Sequence, residues 1–303
     1  MVVCSSRRST YRRARSGQRL KAALCVPVMT GVLAACGGGG GGPPSPPPPP
    51  VTVDPPVIVE DDRTYTVLTE RTLDADGPGV GLGAYELIWD LGGQGSIESP
   101  DLYPVNHPEV EHIYEDVDAA IGNHFVFIIH RDIDIDRDRL DITDRQRNEI
   151  KTFDRSEEAL KGYENETFVF TWKFRINPSM EVSTRFSHFF QLKAVGGDDS
   201  HPILTVSGAE RSGEDGIEVR YSPLKDDTVL QRSAWGEAAG QWVQVYCRAT
   251  FSDNGALRLI AKRVEDGAVI FDSVEPALGG GRGGDGSRGG RAAGGGGGGG
   301  VGR

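Results

Sequence analysis

"TFVFTWKFRI", residues 167–176, decides the fold. Phe168, Phe170, Trp172, Phe174 and Ile176 fall at every second position, with Thr167, Val169, Thr171, Lys173 and Arg175 between them. Period two puts the five large residues on one face of a strand, whereas a helix would scatter them around its circumference. "RFSHFFQLKA" (185–194) alternates too, with Phe186, His188, Phe190, Leu192 and Ala194 on one side and Ser187, Phe189, Gln191 and Lys193 on the other. Working outward, strand-like runs recur at 123–131, 146–152, 202–207, 216–221, 241–251, 256–264 and 267–272. Turn sequences such as "NPS", "GGDDS", "RSGEDG", "SDNG" and "EDG" separate them. Many short strands with little helix predict an all-β fold, a β-sandwich or jelly roll. "AYELIWDLGG" (84–93) fits either a strand or a short helix.

One run breaks the pattern. In "DRQRNEIKTF" (144–153), Arg145, Arg147, Glu149 and Lys151 share one face and Gln146, Asn148, Ile150 and Thr152 the other, so neither face is clearly apolar. Three segments therefore offer a polar, partly basic face: Arg147, Glu149 and Lys151, then Lys173 and Arg175, then Gln191 and Lys193. If these strands lie in one sheet, the faces merge into a patch of cations and amides. Such a patch is a fixed set of donors for an anionic sugar, with Glu149 orienting an Arg. On its own, a solvated outer face with scattered charge would read the same way.

The termini are of another kind. Residues 1–35 carry seven basic residues, no acidic one, and an apolar run from Ala22 that ends at Leu33-Ala34-Ala35-Cys36. That is the plan of a secretory signal, too short to span a bilayer. The Leu-Ala-Ala-Cys ending resembles the bacterial lipobox, which implies cleavage before Cys36 and lipidation of its thiol. The Gly and Pro run that follows makes residues 36–54 a tether. Residues 55–278 are then the folded domain. Residues 279–303, almost wholly Gly, Arg and Ala, are expected to be disordered, or to be a GC-rich gene read out of frame. The chain is thus expected at the bacterial cell envelope, anchored to a membrane (the outer one) through Cys36, and as a monomer. Of four cysteines only Cys247 remains in the folded part, so no internal disulfide is available, and its phase with Val243 and Val245 marks it as a buried small hydrophobe.

Charge narrows the partners. Loss of residues 1–35 takes the net charge from −11 to −18. A chain this acidic is not expected to bind nucleic acid, and it can hold a polyanion only through a local basic patch.

Arg147-Asn148-Glu149-Ile150-Lys151 resembles the R-x-E-(L/I/V)-(R/K) strand of the jelly-roll polysaccharide lyases, the alginate, glucuronan and heparin lyase-like group with a concanavalin A-like sandwich. Phe190-Gln191-Leu192-Lys193 resembles the strand bearing their active-site Gln. The likeness spans about residues 120–272. It implies β-elimination on an acidic, uronate-containing polysaccharide, with no cofactor. Arg147 and Gln191 would stabilise the uronate carboxylate as the C5 proton leaves. His188 is the nearest candidate base, though alternation puts it out of phase with Gln191. Glu149, Lys151, Lys173, Arg175 and Lys193 would bind substrate. The family closes its sandwich with a late strand, K-x-G-x-Y, that carries a catalytic Tyr, but after Phe271 this chain has no Tyr, Phe or Trp. Catalysis is therefore expected only if that strand exists in another frame. The alternatives are a carbohydrate-binding lipoprotein on the same fold and a purely structural envelope protein.

"HRDIDIDRDRLDITDR" (130–145) alternates Asp in a way that suggests calcium, but Arg137 stands where an EF-hand loop needs Gly. A solvated edge strand or loop is the expectation, and no metal site is assigned. His124, His130 and His201 show no metal-ligand spacing. Nucleophile-elbow, zincin, Walker and dinucleotide motifs are absent.

Overall fold

A computed structural model describes residues 2–11, 67–195, 201–222, 228–252, 254–279 and 291–297. Cys36 and the tether lie outside the described residues. Two antiparallel sheets pack face to face as a sandwich. In chain order the strands are β1 (Val2–Tyr11), β2 (Val67–Leu73), β3 (Ile97–Glu98), β4 (Ile113–Asp118), β5 (Gly122–Phe127), β6 (Glu149–Ile150), β7 (Thr167–Ile176) and β8 (Ser187–Val195). Then follow β9 (Leu204–Arg211), β10 (Glu214–Tyr221), β11 (Thr228–Ala234), β12 (Trp242–Thr250), β13 (Asn254–Arg263), β14 (Val269–Gly279) and β15 (Arg291–Gly297). The first sheet runs β14-β13-β12-β7-β1-β5-β4, with β2 also on β1. The second runs β11-β10-β9-β8-β15-β6-β3.

The alternation of β7 buries Phe168, Phe170, Trp172, Phe174 and Ile176 against Phe189, Phe190 and Leu192 of β8. Trp172 stacks on Phe190 at 4.5 Å, and Phe174 on Phe189 at 6.1 Å. Val243, Val245 and Cys247 of β12 and Leu257, Leu259 and Ala261 of β13 complete this core, so Cys247 is the buried hydrophobe its phase predicts. Turn chemistry fixes register as expected. Ser212 and Gly213 both have positive φ (57° and 84°), the two-residue hairpin geometry that matches strand twist, and Arg211 faces Glu214.

"AYELIWDLGG" is a helix, α1 (Ala84–Gly92), begun where the Gly83 amide donates to the Glu86 carboxylate at 3.0 Å. Its Ala84, Tyr85 and Ile88 bury a second, smaller core with Leu73, Ile97, Ile113, Phe125 and Phe127. The run at 146–152 contracts to the two residues of β6, and β2, β4 and β11 form where no alternation announces them. The tail segment Arg291–Gly297 lies between β8 and β6 as β15. No helix among the described residues is long and apolar enough to cross a membrane.

Candidate functional site: an ion network on the outer face of the second sheet

The two shortest strands, β3 and β6, each carry one glutamate. Ile97 of β3 faces Ile150 of β6, and both turn into the smaller core. The next pair, Glu98 and Glu149, must then turn outward, directly opposite one another. Facing carboxylates repel, and three cations hold them. Arg147 Nη1 donates to Glu98 Oε2 at 3.2 Å and to Glu149 Oε1 at 3.0 Å. Its Nε lies 2.6 Å from Asp136 Oδ1. Lys151 Nζ donates to Glu98 Oε1. Arg137 pairs with Asp136 at 3.1 Å and reaches Glu98 at 3.9 Å.

Gln191 joins from β8, its Nε2 donating to Glu149 Oε2 at 2.8 Å. The strand between them is β15, where Gly295 faces Gln191 and Gly297 faces Glu149. Glycine puts no side chain in the way, so the two long side chains meet across it. Arg147, Glu149 and Gln191 are thus brought together as one hydrogen-bonded set, Glu149 accepting from both neighbours.

The two carboxyls are shifted in opposite directions. Burial opposes ionisation of Glu98, but Lys151, Arg147 and Arg137 outweigh it and hold the group below the ordinary carboxylate range. Burial dominates at Glu149 and, with the charge of Glu98, pushes it up against the pull of Arg147. Arg147 keeps 28% of its side chain exposed.

The same outer face continues across the sheet. Gln191 faces Thr205 of β9, which faces Arg220 of β10. His188 faces Ser207, which faces Glu218, and Glu218 accepts from Arg232 at 2.6 Å. The expected phase of His188 is therefore corrected. β8 bulges between His188 and Phe190, where Phe189 is an extra residue. One inserted residue reverses the alternation, so both Phe side chains enter the core. His188 lands on the face of Gln191, with Nδ1 at 2.7 Å from Ser207 Oγ and its ring stacked on Phe186 at 4.2 Å.

Lys173 and Arg175 do not join this patch. They sit on β7, in the first sheet, whose inner face is already the core, so they point to the opposite outer side of the sandwich. There Arg175 pairs with Asp118 at 2.8 Å and lies over Trp242 at 4.8 Å. Lys151 stays with Arg147 through Glu98, and Lys193 follows Gln191 along β8. Tyr246 is on β12 of the first sheet, and Tyr221 is buried at the end of β10. A tyrosine that the sequence did not single out feels the charges of this network. Half-buried Tyr103 follows the 3-10 turn Pro100–Leu102. Burial first, then the charges of Glu98 and Asp136 against those of Arg137 and Arg147, push its hydroxyl above the ordinary range.

The polar inner face of "DRQRNEIKTF" has its own partners. Asn148 Nδ2 donates to the carbonyls of His112 and Ile128 at 2.8 and 2.9 Å. Gln146 Nε2 reaches those of His130, Arg131 and Asp134 at 3.2, 2.6 and 2.6 Å. These amides supply further donors to backbone carbonyls of the surrounding loops. The aspartate run is not uniformly solvated either. Asp132, Asp141 and Asp144 pair outside with Arg131, Arg139 and Arg145. Asp136 and Asp134 are buried, Asp136 against Arg147 and Asp134 against His107, His112 and His130. These last four are the group among the described residues that could hold a metal, and the sequence reading missed it. His124, by contrast, is a core residue packed edge-on to Trp242 at 5.2 Å.

No family model, curated protein or solved structure matches this chain.

Proposed function

We propose that the protein acts on an acidic, uronate-containing polysaccharide by β-elimination. The observation that carries this is the meeting of Arg147, Glu149 and Gln191, from strands 42 residues apart, as one hydrogen-bonded set. Arg147 uses Nε and Nη1 for its carboxylates, and Nη2 takes no part in those contacts. Nη2 and the Gln191 amide would grip a uronate carboxylate, and Glu149 would keep both in place. A base then takes the C5 proton, its electrons form the C4–C5 double bond, and the C4–O4 bond breaks with a proton delivered to O4. His188 is assigned as the base because the bulge turns it to this face. Tyr103 is assigned as the proton donor because its hydroxyl, a protonated group at neutral pH, feels the charges of Glu98, Asp136, Arg137 and Arg147. The lipid anchor at Cys36 would hold the domain at the membrane.

A second reading, a binder without chemistry on the same face, is favoured by one observation. The strand beside Gln191 is a glycine run and brings no Tyr. The two separate on product. The protein is incubated with polyuronates of different composition and followed by the ultraviolet absorbance of the unsaturated product. β-Elimination predicts absorbance on at least one polymer, reduced about 100-fold or more in Arg147→Ala. No absorbance, with salt-sensitive retention on a polyuronate column, leaves the binder. Neither absorbance nor retention overturns both.

A further inference from the structure

Three imidazoles converge on one carboxylate at the base of the loop that carries Asp136. His107 Nδ1 lies 3.1 Å from Asp134 Oδ1. His112 Nε2 lies 3.1 Å from both Asp134 oxygens. His130 Nδ1 is 3.1 Å from His112 Nε2 and 3.4 Å from Asp134 Oδ2. One ligand atom from each residue falls within 4.8 Å of all the others. Four nitrogen and oxygen ligands around a tetrahedral ion, with bonds of about 2.0–2.1 Å, stand about 3.3 Å apart. The separations here bracket that value.

The outer contacts fix which ring nitrogens face the carboxylate. His112 Nδ1 is 2.5 Å from the Val110 carbonyl, an acceptor, so that nitrogen must be the donor. In a neutral ring its Nε2 then turns a lone pair on the carboxylate and on His130. His107 is in the same position, since Nε2 faces Glu109 Oε1 at 3.3 Å while Nδ1 faces Asp134. One divalent ion satisfies all the lone pairs together. The outer contacts then match what metal-binding histidines require, with Val110 O and Glu109 orienting the rings through their far nitrogens.

We propose that His107, His112, His130 and Asp134 bind a divalent transition ion of the zinc class. Three imidazoles select such ions over calcium or magnesium, which take oxygen ligands. His107, His112 and Asp134 are buried, and four protein ligands close a tetrahedral site, so the ion is structural. It ties the segment before β4 to the loop after β5. Asp136, two residues beyond Asp134, holds the Arg147 guanidinium, so the ion also fixes the loop that positions Arg147.

The test is metal binding itself, independent of any activity on sugar. The full chain is stripped with a chelator and titrated with Zn²⁺ against a chromophoric competitor, then with Co²⁺ for the visible band of a tetrahedral site. One equivalent per chain and a rise in melting temperature on loading are expected. His130→Ala removes the ligand with 34% side-chain exposure and should weaken binding about 100-fold or more. Glu109→Gln, on a residue 70% exposed, leaves the four ligands and the fold intact and should weaken it about tenfold. Failure of the wild type to take up an equivalent overturns the proposal, as does equal affinity in both variants.

Discussion

Glu98 and Glu149 face each other on neighbouring strands and depend on different partners. Glu98 gathers Lys151, Arg147 and Arg137, and its folded-state ionisation is favoured. Its contribution to stability is present above the unfolded carboxylate range and is lost as pH falls through the lowered folded value. Glu149 is pushed up, so its contribution has the opposite sign: full below the ordinary range and lost as pH rises through the raised value. Glu98→Gln strands three cations at a buried carboxyl and should cost about 3 kcal/mol at neutral pH while flattening the acid limb. Glu149→Gln leaves an amide oxygen that can still accept from Arg147, and should cost less. Denaturant melts of both variants between pH 3 and 9 check this, and equal costs with parallel pH curves would contradict it. Only Glu149 of this pair was legible in sequence, on a charged strand face with Arg147 and Lys151. Their opposition was not, because Glu98 comes from a two-residue strand with no periodicity to read.

Elements were legible where alternation was long. The ten residues of β7 declare their buried face in the sequence alone. Trp172→Ala removes the ring stacked on Phe190 and should cost about 3–5 kcal/mol in urea unfolding, with an unchanged m-value. A loss under 1 kcal/mol would mean that β7 does not build the core. β8 alternates almost as well, yet its reading failed at one residue. The bulge at Phe189 is invisible to a period-two count, since both Phe189 and Phe190 are apolar. Its consequence is that His188 joins Gln191. His188→Ala is expected to abolish any product formation while leaving retention on a polyuronate column intact, and unchanged turnover would remove His188 from the chemistry. The merging of Lys173 and Arg175 with the patch failed for a different reason. Sequence shows which residues share a strand face, but not which sheet the strand enters. The histidine cluster was hidden in the same way, its ligands drawn from a loop, a strand approach and a second loop.

At the scale of the whole molecule, both sheets contain a strand from near a chain end. β1 lies between β7 and β5, and β15 between β8 and β6. Cleavage before Cys36 would remove β1 and leave the edges of β5 and β7 for other strands. Mass spectrometry of protein taken from membranes is expected to find an acylated Cys36 and none of residues 1–35. Recovery of Val2–Tyr11 in the folded protein would instead make β1 a working part and end the leader reading. The strongly acidic chain repels a polyanion everywhere except at local cations, so retention on a polyuronate should fall steeply with salt.

The most direct measurement is calorimetric binding of a uronate oligosaccharide and of the same oligosaccharide with its carboxyls reduced to alcohols, to wild type and to Arg147→Ala. If Arg147 and Gln191 hold the carboxylate, wild type prefers the acid form by about 10- to 100-fold, the span of a charge-assisted hydrogen bond, and the variant loses that preference. Equal affinity for both forms in wild type, or an undiminished preference without Arg147, would contradict the assignment of this face.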